Sequence, residues 1–339
     1  MLFPSGYAAN LSVGMALGSA AHPAAQDSLS HNTRVHIYSD QLNHASIIDG
    51  IKYARTKAER SKLFLHIYKH NDMRDLQTKL RKTSGENDLK IVISESVFSM
   101  DGDICHLRDI VKLKEKYGFL LVLDEAHATL VFGERGGGLA QHLNCTSSVD
   151  IVVGTLSKAI GSMGGFIVVH TPLLRSIILN KGRPVIYSTA LPVSMVQTAI
   201  RNINVSLSQR GEEMRTTLQR NILYLRRRLI DAGFSQEGKG DKEIYLQVSH
   251  PKDLLGVASP ILPIRMPSEH CATKASQYLK DHFGIFVPAI RPPTVPVGTS
   301  RLRIAVTAAH SVQDLSTLVH ALTTYKRLNL DSQPVKSRL

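Results

Sequence analysis

Short apolar runs alternate with amphipathic segments through the first half of the chain. The runs are rich in β-branched residues and predict buried strands, because a parallel sheet is covered on both faces. We expect these strands at residues 35–38, 63–67, 90–94, 119–123, 149–153 and 166–169. Apolar residues recurring at helical spacing predict helices at residues 5–18, 45–58, 72–80 and 107–117. The alternation predicts an α/β fold with a mostly parallel sheet.

The second half of the chain predicts a smaller α+β region after one long helical stretch that ends near Gly233. A polar, glycine-containing link follows at residues 236–242. Beyond it, we expect strands at residues 244–248, 261–266, 285–287 and 301–306, and helices at residues 273–283 and 312–325. The predicted domains are a large domain over residues 1–233, a small C-terminal α+β domain over 234–330, and an exposed tail over 331–339.

Polar side chains fall close behind the ends of the predicted strands, where ligands of parallel sheets bind. They include Glu95, Ser99, Asp124 and Lys158. Lys158 lies between two strands in a loop of small residues, so it is either a solvated lysine on a turn or a lysine available for chemistry. The chemical alternative is a lysine that forms a Schiff base with pyridoxal 5′-phosphate (PLP), a cofactor whose ring nitrogen needs an acidic partner.

The sequence Asp124-Glu-Ala-His127 after a buried strand has two interpretations. One is the acidic box of a nucleotide hydrolase, which also requires a phosphate-binding loop ending in Gly-Lys-Ser or Gly-Lys-Thr. The only Gly-Lys pair, Gly238-Lys239, is followed by glycine, so that class is excluded. The other interpretation pairs Asp124 with a pyridinium nitrogen, with His127 either beside the same ring or satisfied in the core.

Other candidates keep two interpretations. His44 precedes a predicted helix and either caps it or stacks on a cofactor ring. Glu95 and the acidic residues after it either cap a turn or serve a site. Arg301 and Arg303 alternate with apolar residues and share one strand face, which is either solvated or able to hold a substrate carboxylate through two parallel hydrogen bonds.

The composition narrows the partners. The net charge of +13 favours anionic partners, either nucleic acid or anionic cofactors and CoA esters. The basic residues are scattered and the chain lacks Trp, so nucleic-acid binding is disfavoured. Three widely spaced cysteines fit a reducing compartment and give no metal-binding pattern. We expect no membrane span, no signal peptide and no bound metal.

Taken together, the motifs resemble those of the α-oxoamine synthases, which are fold-type I PLP-dependent transferases. The order of the segments carries this resemblance: residues 5–10, 42–46, 95–102, 124–127, 155–158 and 289–303. The resemblance implies bound PLP, a homodimer with shared active sites, and decarboxylative condensation of an amino acid with an acyl-CoA. The stretch 289–303 implies L-alanine and pimeloyl-CoA in particular.

The resemblance also implies roles for individual residues. Lys158 would bind the cofactor aldehyde, Asp124 would pair with the ring nitrogen, and His44 and His127 would complete the catalytic set. The implied cofactor contacts are Gly6, Tyr7, His44, Ser99, Asp124, His127, Thr155 and Lys158, with Ser188 and Thr189 reaching a phosphate across a dimer interface. The implied substrate contacts are Thr294 and Arg303, with Arg303 at a carboxylate.

Several alternatives stay open within this resemblance. A related synthase would use another amino acid or acyl-CoA, as glycine C-acetyltransferase, 5-aminolevulinate synthase and serine palmitoyltransferase subunits do. Only four residues precede Ser5, fewer than in family members, so we expect an N-terminally truncated chain, and an inactive partner subunit is a further alternative. The final residues, Ser337-Arg338-Leu339, resemble a peroxisomal targeting signal. If the signal is used, the protein is located in the peroxisome; if it is not, the protein is located in the cytosol.

Overall fold

The computed structural model describes residues 1–19, 33–58, 61–83, 88–234, 244–247 and 256–331. The described helices are α1 (Gly6–Gly18), α2 (Ala45–Lys57), α3 (Met73–Arg81), α4 (Leu107–Tyr117), α5 (Leu139–His142), α6 (Pro172–Lys181), α7 (Arg183–Ile186), α8 (Val193–Leu207), α9 (Gln209–Asp231), α10 (Glu269–Phe283) and α11 (Val312–Asp331). The described strands are β1 (Leu2–Phe3), β2 (Val35–Asp40), β3 (Leu63–Tyr68), β4 (Leu89–Glu95), β5 (Leu120–Asp124), β6 (Ile151–Thr155), β7 (Gly165–Val169), β8 (Tyr245–Leu246), β9 (Ile261–Arg265), β10 (Ala289–Ile290) and β11 (Arg301–Ala305).

The chain divides into two compact units. Unit 1 comprises Met1–Phe98 and Ile104–Glu212, and unit 2 comprises Ser99–Asp103 and Glu213–Leu339. This division falls inside α9, before the boundary predicted after residue 233, and it places a short internal segment in unit 2. The predicted link at residues 236–242 lies outside the described residues.

Unit 1 is built on a mixed sheet in which the described strands have the order β1-β7-β6-β5-β4-β2-β3. The five strands from β6 to β3 are parallel, whereas β7 pairs antiparallel with β6, and β1 pairs antiparallel with β7. The predicted α/β class with a mostly parallel sheet is therefore confirmed.

The first two helices of unit 1 pack closely because both carry glycine at their contact. A Cβ on Gly14 would lie 2.4 Å from the backbone carbon of Gly50, which is too close for any side chain. Ser5 begins α1 as its N-cap, with Oγ accepting from the Ala8 amide at 3.1 Å. This packing holds the N-terminal part of α1 and the start of α2 side by side, where both contribute polar residues to the site described below.

Unit 2 contains an antiparallel sheet, whose described strands have the order β10-β11-β9-β8. Most residues of β9 and β11 are buried, and Ile264 and Leu302 are fully so. Helix α10 begins at the N-cap Ser268 and ends at Gly284, whose φ of 65° is the left-handed conformation typical of helix ends. Among the described residues, no helix combines the length and apolar character needed to cross a bilayer.

Two predicted elements differ in the structure. The expected strand at residues 285–287 is absent from the described chain; Val287 is buried, but its carbonyl accepts from the hydroxyl of Ser276 instead of pairing in the sheet. The single long helix is two helices, because Ser208 has an extended backbone and its carbonyl accepts from the Gly211 amide, as an N-cap residue does. Apolar periodicity continued through that break and concealed it.

Candidate active site

A cleft of about 240 Å³ in unit 1 lies at the carboxyl ends of β4, β5 and β6. Ligands of parallel sheets bind at this edge, because successive strands deliver their C-terminal residues to it. The cleft is lined by Ser5, Gly6, Tyr7, Asn10, His44, Ser46, Glu95, Asp124, Ala126, His127, Val153, Gly154, Thr155, Ser157 and Lys158.

Asp124 ends β5 and is 6% exposed. Its Oδ2 accepts from the side-chain amide of Asn10 at 2.7 Å, and its Oδ1 accepts from the Ala126 amide at 2.8 Å. Asn10 also donates to the hydroxyl of Ser46 at 3.0 Å, which links α1, α2 and β5. These neutral donors hold a carboxylate in place without cancelling its charge, as a partner for a cationic ligand atom requires.

Lys158 lies in the turn between β6 and β7, and its side chain is exposed in the cleft. The turn is held by Thr155, whose hydroxyl donates to the Gly164 carbonyl at 3.0 Å and bonds with the Ser157 hydroxyl at 2.8 Å. Gly164 has a φ of 126°, a conformation that side chains rarely adopt. The sheet and this turn therefore place the Lys158 amine and the Asp124 carboxylate in one cleft.

His44 both caps α2 and lines the cleft. Its Nδ1 lies 2.7 Å from the Ser46 hydroxyl, and its backbone amide donates to Glu95 Oε1 at 2.5 Å. Burial lowers the pKa of His44, the Asp124 carboxylate opposes this, and the Lys158 cation adds to it. The imidazole is therefore favoured in its neutral form, which suits a ring that stacks on an aromatic cofactor.

Glu95 lines the cleft, and the sequence alone left it either as a turn cap or as a site residue. It ends β4 in register with Asp124 on β5, so both carboxyl groups reach the same edge of the sheet. Glu95 is 4% exposed, and burial together with the neighbouring Asp124 raises its pKa well above the usual range. The sequence signal that pointed to a site role was a glutamate at the end of a buried parallel strand.

The opposite part of the cleft gathers hydroxyl groups at the start of α1. A Cβ on Gly6 would lie 3.0 Å from the Thr155 side chain, so glycine permits this close approach. Helix N-termini with exposed amides favour anions. Tyr7 lines the cleft, but its hydroxyl donates to Asp49 at 2.8 Å.

The structure brings together only part of the predicted set. Ser188 and Thr189 belong to unit 1 but are exposed and are absent from the residues lining the cleft, and the Ser188 hydroxyl donates to the Pro184 carbonyl. Ser99, Thr294 and Arg303 belong to unit 2. The described cleft residues that were not among the predicted contacts are Ser5, Asn10, Ser46 and Ser157, and for Glu95 a site role was one of two alternatives.

The parallel sheet, with Lys158 and Asp124 in a cleft at its carboxyl edge, agrees with the family to which a comparison of the whole sequence assigns the chain. Residues 2–322 match the family model of class I and II aminotransferases, and the chain belongs to that family. Within it, an 8-amino-7-oxononanoate synthase from Arabidopsis thaliana is 38% identical over 327 residues, covering 96% of this chain and 61% of the relative. The synthase of the same name from Lysinibacillus sphaericus is 38% identical over 320 residues, covering 94% of this chain and 71% of the relative.

A solved serine palmitoyltransferase from S. paucimobilis with a bound PLP–myriocin aldimine shares the fold. Its TM-score is 0.80 at 28% identity, with 97% of this chain and 72% of that chain covered. The predicted family and fold-type I architecture are therefore confirmed. The chain spans about three fifths of the length of the Arabidopsis relative.

Proposed function

We propose that this chain is a PLP-dependent acyltransferase that condenses L-alanine with pimeloyl-CoA, giving 8-amino-7-oxononanoate, CoA and CO2. The observation that carries the proposal is the Lys158 amine and the buried Asp124 carboxylate in one cleft of unit 1. The shared name of the 8-amino-7-oxononanoate synthases, each 38% identical to this chain, supports the choice of reaction.

The residues of the cleft fit PLP by their chemistry. Asp124 would hold the proton on the ring nitrogen, and Lys158 Nζ would bind the aldehyde carbon. His44, which precedes α2, and His127, which follows β5, both line the cleft and would contact the ring. Ser5, Gly6, Tyr7, Thr155 and Ser157 line the part of the cleft that suits the phosphate, beside the N-terminus of α1. When bound, PLP supplies an electron sink for the charge that develops at the amino-acid Cα.

Lys158 would act as the general base of the reaction. Its Nζ takes the proton from Cα of L-alanine, and a bond then forms between that carbon and the thioester carbonyl. The carbon–sulfur bond breaks and the CoA thiolate leaves. The alanine carboxylate departs as CO2, and a proton returned by Lys158 to the same carbon completes the aminoketone. No oxidant or reductant is needed.

Substrate binding is assigned to residues of unit 2. Arg303 would hold a substrate carboxylate, and Thr294 would contact the substrate from its exposed turn. Ser99, also in unit 2, would contact the ring oxygen of the cofactor. These roles follow from the family resemblance. The environment of Arg303, described below, supports its role in binding a carboxylate.

A CoA-release assay tests the proposal directly. The full chain loaded with PLP is offered L-alanine, glycine or L-serine with acetyl-, succinyl-, pimeloyl- or palmitoyl-CoA. We expect release of CoA with L-alanine and pimeloyl-CoA at least tenfold above every other pair, since a site built around one substrate discriminates by about this much or more. Release with L-serine and palmitoyl-CoA instead would favour the activity named for the serine palmitoyltransferase. No release with any pair, from a chain that binds no PLP, would favour an inactive partner subunit.

We also propose that the chain forms a homodimer with shared active sites. Large apolar side chains are exposed in unit 1 near Ser188 and Thr189: Tyr187 is 70% exposed and Val193 is 77% exposed. Apolar exposure concentrated in one stretch is typical of an interaction surface. Light scattering on the purified chain would report twice the monomer mass, and a monomer at micromolar concentration would contradict the proposal.

The C-terminal tripeptide Ser337-Arg338-Leu339 lies outside the described residues. We propose that it acts as a peroxisomal address. A fluorescent fusion that leaves this C-terminus exposed would accumulate in peroxisomes, and deletion of the tripeptide would return the fusion to the cytosol. Equal distribution of both fusions would dispose of the proposal.

A further inference from the structure

The segment Ser99–Asp103 belongs to unit 2, although Arg301, which bonds to Asp101, lies 200 residues further along the chain. Gly102 permits this arrangement. Its φ is 66°, and a Cβ there would lie 2.2 Å from the carbonyl oxygen of Ile261 on β9. The segment is therefore fitted tightly against the sheet of unit 2.

Arg301 anchors this segment from β11. Its guanidinium, 3% exposed, forms an ion pair with Asp101 Oδ1, and the same terminal nitrogen donates to the Met100 carbonyl at 3.2 Å. Gln247 donates to the same oxygen of Asp101 at 2.8 Å. Burial lowers the pKa of Arg301, and the Asp101 carboxylate opposes that change. This buried cation thus has an internal partner of opposite charge.

Arg303 lies on the same face of β11 but has a different environment. Its Nε donates to the Ser99 carbonyl at 2.6 Å. Within the part of the chain that the structure describes, this is the hydrogen bond that the Arg303 side chain makes. The two terminal amino groups of its guanidinium are therefore available to a ligand that accepts two hydrogen bonds. Burial lowers the pKa of Arg303, with no acidic group opposing it. A partly buried cation of this kind favours an incoming carboxylate.

We propose that Asp101 is a positioning residue for the amino-acid substrate, because it fixes the main chain at Ser99 and thereby orients Arg303 toward the carboxylate. Arg301 and Gln247 hold Asp101, Asp101 holds the segment, and the Ser99 carbonyl holds Arg303 by its Nε. The inference rests on the proposed function, in which Arg303 binds the substrate carboxylate. It adds an ion pair that controls amino-acid affinity through Arg303.

The test compares L-alanine with L-alaninamide, which lacks the carboxylate, on the full chain loaded with PLP. Calorimetric titration gives the affinity of each compound for the parent chain and for Asp101→Asn, which keeps the side-chain shape and removes the charge. We expect Asp101→Asn to lose about tenfold in L-alanine affinity, the effect of one charged hydrogen bond, and less than about twofold in L-alaninamide affinity. The KM for L-alanine should rise in parallel, while kcat changes less.

Two further variants keep the outcome clear. Gln247→Leu, which removes only the second contact to Asp101, should lose about threefold for L-alanine with the same selectivity for the carboxylate. Asp109→Asn removes an exposed carboxylate that pairs with Lys112, and it should leave both affinities unchanged. Equal losses for both compounds, or no loss in Asp101→Asn, would overturn the inference while PLP binding and CoA release still supported the function. A parent chain that bound no PLP would overturn the proposed function and the inference together.

Discussion

The cleft of unit 1 and the arginine pair of unit 2 hold buried charge in different ways. In the cleft, Asp124 is surrounded by neutral donors, so its charge is held but not cancelled. In unit 2, Arg301 has Asp101 as an internal partner, whereas Arg303 is held among the described residues by the Ser99 carbonyl. Charges paired inside the protein serve its folding, and charges held by neutral groups are available to ligands, since an unpaired buried charge is costly. The comparison indicates that the Arg301–Asp101 pair stabilises the fold, whereas Asp124 and Arg303 are the charged groups available to bind ligands.

Removal of Lys158 should have the largest effect. In the proposed reaction, Lys158→Ala would eliminate both the covalent attachment of PLP and the base, and we expect CoA release to fall at least about a thousandfold. Lys112→Ala, which removes an exposed lysine on α4, is the matched control and should keep full activity. Substantial turnover by Lys158→Ala would mean that the cleft is not where the reaction occurs.

Substitution of the two arginines of β11 should have different consequences, one for substrate binding and the other for stability. Arg303→Ala should raise the KM for L-alanine about a hundredfold with little change in melting temperature, because it removes a bidentate partner of the ligand. Arg301→Ala should instead destabilise unit 2 by about 3 kcal/mol, because it leaves the partly buried Asp101 without its cation. Thermal melts and steady-state kinetics of both variants give the comparison. A stability loss for Arg303→Ala together with a KM increase for Arg301→Ala would contradict the distinction between charges that stabilise the fold and charges that bind ligands.

Substitution at the contact between α1 and α2 should act on the cleft through the fold. Gly14→Ala forces the two helices apart, and we expect a loss of about 2 kcal/mol in unfolding free energy, typical of overpacking. PLP affinity should also fall, because Asn10 on α1 and Ser46 on α2 both lie beside Asp124. Lys57→Ala, at an exposed position near the end of α2, is the control. A Gly14→Ala chain as stable as its parent would contradict the packing described for these helices.

Glu125 should have the smallest effect on activity, and its contribution should be visible as a pH dependence of stability. Burial raises the pKa of this carboxyl group from 4.5 to about 7, while the amides of Leu139 and Ala140 donate to it. The folded state therefore binds the proton more tightly than the unfolded state. The stability contributed by this group is fully present below pH 4.5 and is lost as the pH rises to about 7.

Glu125→Gln should therefore melt progressively closer to, or above, the parent chain as the pH rises from 5 to 8. The expected change is a few kcal/mol in total, on the order of 1.4 kcal/mol for each unit of pKa. Asp109→Asn, at an exposed carboxylate, should show no such trend. A constant difference between Glu125→Gln and the parent across this range would exclude a raised pKa for Glu125.

Local patterns in the sequence accounted for most of unit 1. The alternation of apolar runs with helical segments predicted the sheet, and the residues after those runs included Asp124 and Lys158. Glycine at Gly118 correctly ended α4. Periodicity alone did not predict that β7 is antiparallel, because the direction of a strand depends on its connection and not on its side chains.

Long-range contacts account for what was missed. The bond from Arg303 to Ser99 joins residues 204 positions apart, and no local spacing indicates such a partner. Arg301 and Arg303 look equivalent in the sequence, since both alternate with buried apolar residues. Within the described structure, the ion pair with Asp101 distinguishes Arg301 from Arg303. The choice between the two roles of Glu95 stayed open for a related reason, since its register with Asp124 is a property of two paired strands.

The most direct test of the account is to locate the covalent bond to PLP. The full chain is incubated with PLP, reduced with borohydride, digested, and analysed by mass spectrometry. The account predicts one modified peptide, with PLP on Lys158, and a marked loss of that modification in Asp124→Asn. Modification of another lysine, or none at all, would contradict the claim that Lys158 and Asp124 hold the same ring.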